Sequence, residues 1–218
     1  MVKPMIIAID GPAAAGKGTL ARRLAGHFGL VILDTGLLYR AVGMKLVRNG
    51  QDTDDHAAAT EAAETLTPGD LEADDLRGDA AADAASRISS IPTVRAALLE
   101  FQRSFAANPP GNVADGAKGA VLDGRDIGTI VCPDADHKLF VTASAEVRAE
   151  RRFKELRERG LDVIHGRVLA DMKERDTRDS QRAVSPLEPA KDAFLLDTSD
   201  LDADQAFAAA LKFINGNK

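Results

Sequence analysis

The sequence predicts an α/β protein, a mostly parallel five-stranded sheet flanked by helices. Three observations carry this prediction. Five short apolar segments, at 5–9, 30–33, 119–123, 138–143 and 193–197, have the length of strands. Segments of helical period lie between them, and such alternation calls for parallel strands joined by right-handed crossovers. The first strand, MIIAI, shows no polar alternation, which suggests burial on both sheet faces.

Asp10 and Gly11 end that strand, and a glycine-rich loop follows. Residues 19–28 then place Leu20, Leu24 and Phe28 four apart on one helix face, with Gly29 as the stop. After the second strand, Asp34 and Thr35 can cap a helix running through Tyr39 to about Val47, closed by Asn49 and Gly50. Residues 51–85 change character: alanine, aspartate and threonine dominate, large apolar side chains are few, and loosely packed helices outside the sheet, or local disorder, are expected. Helical period returns over 86–105 through Ile91, Val94, Leu98, Leu99 and Phe105, with Pro92 at a helix start. The stretch 108–118 reads as a surface loop. Beyond the third and fourth strands come two charged helices, 145–159 and about 162–181, separated by Gly160. An amphipathic helix over 202–214 closes the chain.

A chain of 218 residues with 44% hydrophobic content can bury one sizeable core. No apolar run approaches the roughly 18 residues of a membrane span, no signal peptide is evident, and a single cysteine fits a reducing compartment, so a cytoplasmic protein is expected. Cys132 reads as a small core residue, and the histidines at 27, 56, 137 and 165 lack metal-ligand spacing. A net charge of −6 argues against a general nucleic-acid or membrane surface. The charge is uneven, however: acidic residues crowd 52–83 and arginines crowd 148–182. A locally positive site on an acidic protein is therefore compatible with the composition.

The loop itself carries chemistry. Gly11, Gly16 and Lys17 satisfy G-x-x-x-x-G-K, in which backbone N–H groups of Gly11, Pro12's neighbours Ala13, Ala14 and Ala15, Gly16 and Gly18 can converge on phosphate oxygens while the lysine reaches the β and γ phosphates. Gly18 stands where Ser or Thr commonly ligates magnesium, and the hydroxyl arrives at Thr19. The G-K-G-T ending resembles nucleoside monophosphate kinases. The guanine-reading N-K-x-D of GTP switches does not occur.

With GPAAAGKGT at 11–19, the block LDTGLLYR (33–40) resembles bacterial cytidylate kinases. Further matches lie at LDGRDIGT (122–129) and ERDTRDSQRAVSPL (174–187), in the family's order. The resemblance implies a P-loop kinase fold in a single domain: a core of 1–33, 119–147 and 183–218, an acceptor-binding insertion at about 34–118, and a short mobile lid at about 148–182. It implies ATP-dependent phosphorylation of CMP and dCMP, with Mg2+ and with ATP held by residues 11–19. It places Arg40, Arg125 and Arg182 at the acceptor phosphate, Ser86, Arg95 and Asp126 around cytosine, Arg175 and Asp179 at the sugar, and Thr35 and Tyr39 in the same pocket. Arg151 and Arg152 become lid arginines, one or the other of which reaches phosphate. Two departures stand out, because the segment between Tyr39 and Ser86 is short and lacks a β-rich run, while 108–119 is long.

These roles make chemical sense. Transferring a phosphoryl group between two polyanions demands several fixed cations, and arginine binds phosphate bidentately. A carboxylate at Asp126 can accept from the cytosine amino group and would oppose the carbonyl of uracil. Asp123 reads either as a carboxylate near magnesium, acting indirectly, or as a strand-terminal turn residue. Asp34 reads as a helix cap more than a ligand contact. The partners expected are small-molecule nucleotides, and a monomer is expected. Two other readings are a kinase for a different nucleotide or small acceptor, and a nucleotide-binding regulatory module without turnover.

Overall fold

The computed structural model describes residues 3–110 and 119–216. Five strands, β1 (Met5–Asp10), β2 (Val31–Asp34), β3 (Gly119–Gly124), β4 (His137–Thr142) and β5 (Phe194–Asp197), form one sheet in the order β2-β3-β1-β4-β5. Every pairing is parallel. The two edge strands are the shortest, four residues each, which limits the unpaired backbone the sheet presents.

Both faces are covered, as the unalternating strands require. On one face Ile7, Ile9, Val121, Leu139 and Val141 pack with Leu20 and Leu24 of α1 (Lys17–Phe28) and Ile214 of α9 (Ala203–Gly216). The intervening residues, Ala8, Ala120 and Leu122, face Ala106 of α6 (Pro92–Ala107) and Ile127. Cys132 is buried in this second cluster, and burial pushes its thiol up to about 11, so it is the inert core residue expected.

A second body stands beside the carboxyl edge of the sheet. It comprises α2 (Thr35–Arg48), α3 (His56–Glu64), α4 (Pro68–Leu71), a 3-10 turn, α5 (Asp79–Ile88) and the first half of α6, around Leu38, Val42, Ile88 and Val94. No strand occurs among the described residues of 35–118. The helices expected over 51–85 are present, but their packing is close rather than loose. A Cβ added to Gly43 would lie 2.7 Å from Ala84 Cβ, so α2 and α5 meet nearly backbone to backbone. Alanine is what permits that approach; large side chains would hold the helices apart. The helical stretch expected over 86–105 is broken between Ile88 and Pro92, where proline opens α6. Of the loop expected at 108–118, residues 111–118 lie outside the described residues.

The charged helices are α7 (Ala145–Glu158) and α8 (His165–Gln181). Gly160, at φ 80, ends α7, with Leu161 N–H bonded to Leu156 O at 3.1 Å. The pair packs through Ala149, Leu156, Val168 and Met172 against Ala13 and Ala14 of the glycine loop. No helix among the described residues is long and apolar enough to cross a membrane.

Candidate active site

Parallel strands bring their carboxyl ends to one edge, where Asp10 and Asp34 are the last residues of β1 and β2 and Asp123 is the last but one of β3. Register sets Asp34 directly beside Asp123 and Asp10 beside Gly124. The glycine loop leaves β1 at this edge. Gly11 takes φ 144 and Gly16 takes φ 94, conformations that favour glycine, while Ala14 sits at φ 58. Lys17 curls back across the loop, its Nζ donating to Pro12 O at 3.0 Å and standing 3.7 Å from Asp123 Oδ1. The ammonium is buried, and desolvation, reinforced by the Arg125 guanidinium, brings it down to about 8 despite the carboxylates of Asp123 and Asp34.

That value carries a pH dependence. The lysine is a cation below about 8 and loses its charge as pH rises through that value. We expect kcat/KM for a phosphate donor, which reports the free enzyme, to fall progressively above about pH 8. Stability moves the other way, because above its folded pKa this group binds more protons in the unfolded chain. A pH profile of kcat/KM beside thermal melts checks both signs. A flat profile to pH 9.5 would place no catalytic charge on this amine.

Around the loop opens a cleft of about 1210 Å3, lined from both bodies and from α7 and α8. Of the loop residues, Ala13, Ala14, Gly16, Lys17, Gly18 and Thr19 line it, whereas Gly11, Pro12 and Ala15 are buried behind. The acceptor set converges on the same cavity: Thr35, Tyr39, Arg40, Ser86, Arg95, Arg125, Asp126, Arg175, Asp179 and Arg182 all line it. Among the described residues, Ser86 Oγ, Arg95 Nε, Arg175 Nε, Arg178 Nε and Arg182 Nη2 are buried with no hydrogen-bond partner, and all five residues face this cleft. Buried polar atoms are normally satisfied, so orphans gathered at one cavity mark a place that receives polar ligand atoms.

Two carboxylates organise the cations. Asp126 pairs closely with Arg95, whose Nη1 also donates to Ser89 O at 3.1 Å and whose guanidinium lies 5.4 Å from the Tyr39 ring. Asp179 accepts from Arg125 Nε at 2.9 Å; burial opposes its charge, but Arg125 and Arg175 hold it below the usual carboxylate range. Desolvation and neighbouring Arg125 bring Arg175 down to about 10, and burial with the same kind of crowding lowers Arg40 and Arg182.

Several assignments are sharpened or corrected. Thr35 Oγ1 donates to Asp123 O at 2.9 Å, so it ties α2 to the sheet. Asp34 occupies the N-cap position of α2 but makes no side-chain cap bond; its carboxylate is exposed into the cleft, which overturns the capping preference. Asp123 points at Lys17 within the cleft, the arrangement of a site carboxylate. The two adjacent arginines of α7 diverge, since neighbours on a helix point about 100° apart. Arg152 lines the cleft and pairs with Asp79 and Glu155, whereas Arg151 turns away to Thr198 Oγ1 (3.0 Å) and Thr198 O (2.7 Å). Thr198 in turn donates to Ala15 O at 3.1 Å, so Arg151 braces the loop from behind.

Sequence reasoning missed three residues. Arg148, buried, donates to Ala143 O and Ala13 O and grips Asp176 with both terminal nitrogens, linking the glycine loop to α8. Arg178 lines the cleft beside Arg175. Asp10 accepts two backbone N–H groups from the turn after β3. An aspartate ending an otherwise apolar strand was the signal available for the last.

The donor set also bears on magnesium. No group of three or more His, Cys, Asp or Glu able to hold a metal occurs among the described residues. Magnesium is commonly held by one or two carboxylates completed by phosphates and water. Asp123 fits that pattern, because a Cβ on Gly18 would lie only 3.4 Å from its Oδ2, so glycine leaves the carboxylate open on that side.

A phosphate-binding loop at the edge of a parallel sheet, facing arginines on separate helices, defines a P-loop nucleotide kinase. Residues 7–216 match the family model described as Cytidylate kinase. The chain belongs to the cytidylate kinase family. It is 69% identical over 213 residues to the cytidylate kinase of Paramagnetospirillum magneticum, covering 98% of this chain and 99% of that one. It is 59% identical to that of Rhodospirillum rubrum, covering 96% and 97%. Among solved structures it resembles an uncharacterized protein from Eubacterium ventriosum (TM-score 0.52, 17% identity, 97% and 98% covered). It also resembles a sugar kinase from Janibacter sp. (TM-score 0.50, 15% identity, 97% and 95% covered), and at these identities the likeness concerns the fold.

Proposed function

We propose that this chain transfers the γ-phosphoryl group of ATP to the 5′-phosphate of CMP and dCMP. The observation that carries the reading is the single cleft in which the glycine loop and Lys17 face the Arg95–Asp126 pair across a set of arginines. Loop N–H groups and Lys17 take the donor phosphates, and Arg40, Arg125 and Arg182 hold the acceptor phosphate for in-line attack. The attacking oxygen belongs to an already ionised phosphate, so no general base is needed. Arg95 occupies Asp126 Oδ2, which leaves Oδ1 to accept from the cytosine 4-amino group. Ser86 Oγ adds an unused polar atom beside them, and Asp179 with Arg175 serves the sugar. Asp123 would hold magnesium, which would supply charge neutralisation for the transferring group.

The short helical segment formed by α7 and α8 acts as the lid, bringing Arg152 to the phosphates and excluding water from them. Arg151 supports the loop rather than the phosphate. The test is ADP release from ATP and Mg2+ with CMP, dCMP, UMP, AMP and GMP offered separately, beside a no-acceptor control. Turnover concentrated on CMP and dCMP is expected. A preference for a purine acceptor would sink the base assignment, and nucleotide binding without turnover would make the chain a regulatory module.

A further inference from the structure

Asp126 begins a π-helical turn, Ile127–Val131, as its N-cap residue. An aspartate in that position commonly folds back onto the first free N–H groups of its own helix. Here Asp126 makes no side-chain cap bond, and its carboxylate stands in the cleft on Arg95. The donors it leaves are taken by another residue. Asp10, the last residue of β1 and 4% exposed, accepts from Ile127 N–H on Oδ1 at 2.8 Å and from Gly128 N–H on Oδ2 at 2.7 Å. The approach is close, since a Cβ on Gly128 would lie 3.4 Å from Asp10 Oδ2. A buried carboxylate with both oxygens engaged by successive amides holds a turn in one orientation.

We infer that Asp10 is a positioning residue for base selection: by capping the turn in place of Asp126, it frees the Asp126 carboxylate to read the acceptor base. This rests on the reading of Asp126 given above. It also joins the two halves of the site, because Asp10 immediately precedes Gly11 of the phosphate loop. The electrostatics agree: burial pushes the Asp10 carboxyl up to about 6, the two amides pull it down, and the nearby Asp126 charge raises it again. In Asp10→Asn the amide NH2 meets a backbone N–H that it cannot accept, so one donor is orphaned and Asp126 is drawn back to cap it.

The experiment is a double-mutant cycle read as the ratio of kcat/KM for CMP to that for UMP, in Asp10→Asn, Asp126→Ala and the double variant. Asp126→Ala is expected to lower the ratio about tenfold or more. Asp10→Asn should lower it in the same sense, with KM for CMP rising more than KM for ATP, and the double variant should lose no more than Asp126→Ala alone. An unchanged ratio in Asp126→Ala defeats the base reading. A reduced ratio there, with a folded Asp10→Asn that keeps the wild-type ratio or with losses that multiply in the double variant, defeats the inference about Asp10. If Asp10→Asn does not fold, Asp10→Ser, whose hydroxyl can accept one amide, takes its place. Failure of both to fold makes Asp10 a purely structural residue and overturns the proposal.

Discussion

Lys17→Ala is expected to reduce turnover by about two to three orders of magnitude while the protein remains folded. Lys17 lies between the loop and the place proposed for the transferring group: its Nζ donates to Pro12 O and faces Asp123 from within the cleft. Removing it takes away a cation placed where charge develops, in a setting that excludes water and so magnifies its effect. The ammonium is poorly solvated in the folded chain, as its lowered pKa records, so the fold gains little from its charge. Steady-state kinetics beside circular dichroism and a cooperative melt decide the matter. Turnover within about tenfold of wild type in a folded variant would show that the arginines, and not this lysine, carry the transfer.

Gly11→Ala should strongly destabilise the fold. Gly11 sits at φ 144, and a Cβ there would lie 1.9 Å from Val141 O, a backbone atom of the neighbouring strand β4. No rotamer change relieves that overlap; either the loop leaves the sheet edge or β1 and β4 separate. A cost of about 3 kcal/mol or more follows from strain and overlap together, a fall in Tm of about 10 °C for a chain of this length. Gly26→Ala is the matched control, because Gly26 is exposed on α1 with nothing within 4 Å of the added carbon. It should be neutral or stabilise by about 0.5–1 kcal/mol. Equal melting temperatures for the two variants would mean that the loop relaxes freely around Gly11.

What the sequence made legible was local chemistry. An apolar run, a glycine loop and a period-four helix are neighbours in the chain, so β1, the loop and α1 could be read from spacing alone. The arginine blocks were legible because recognition of phosphate calls for that residue type, and the structure gathers those of Arg40, Arg125, Arg175 and Arg182 in one cleft. Contacts between distant segments were not legible. The close packing of α5 on α2 depends on Gly43 meeting Ala84, and nothing in the alanine-rich stretch announces its partner. Arg151 and Arg152 are indistinguishable as letters, and only the direction each leaves the helix separates a brace from a cleft residue. Asp34 has the composition of a cap, yet its neighbour across the sheet, Asp123, and the cleft beyond define its surroundings.

The crowding of the arginines has a thermodynamic side. Arg40, Arg175 and Arg182 are each held below their ordinary pKa by burial and by cations nearby, so the ligand-free fold keeps like charges together out of water. The unfolded chain suffers none of this, and these three arginines therefore weigh against the fold until an anion enters their cleft. Occupancy and resistance to heat are then coupled through mass action. A kinase built this way is most robust when its nucleotides are abundant and most fragile when they are scarce, so its lifetime becomes a gauge of supply.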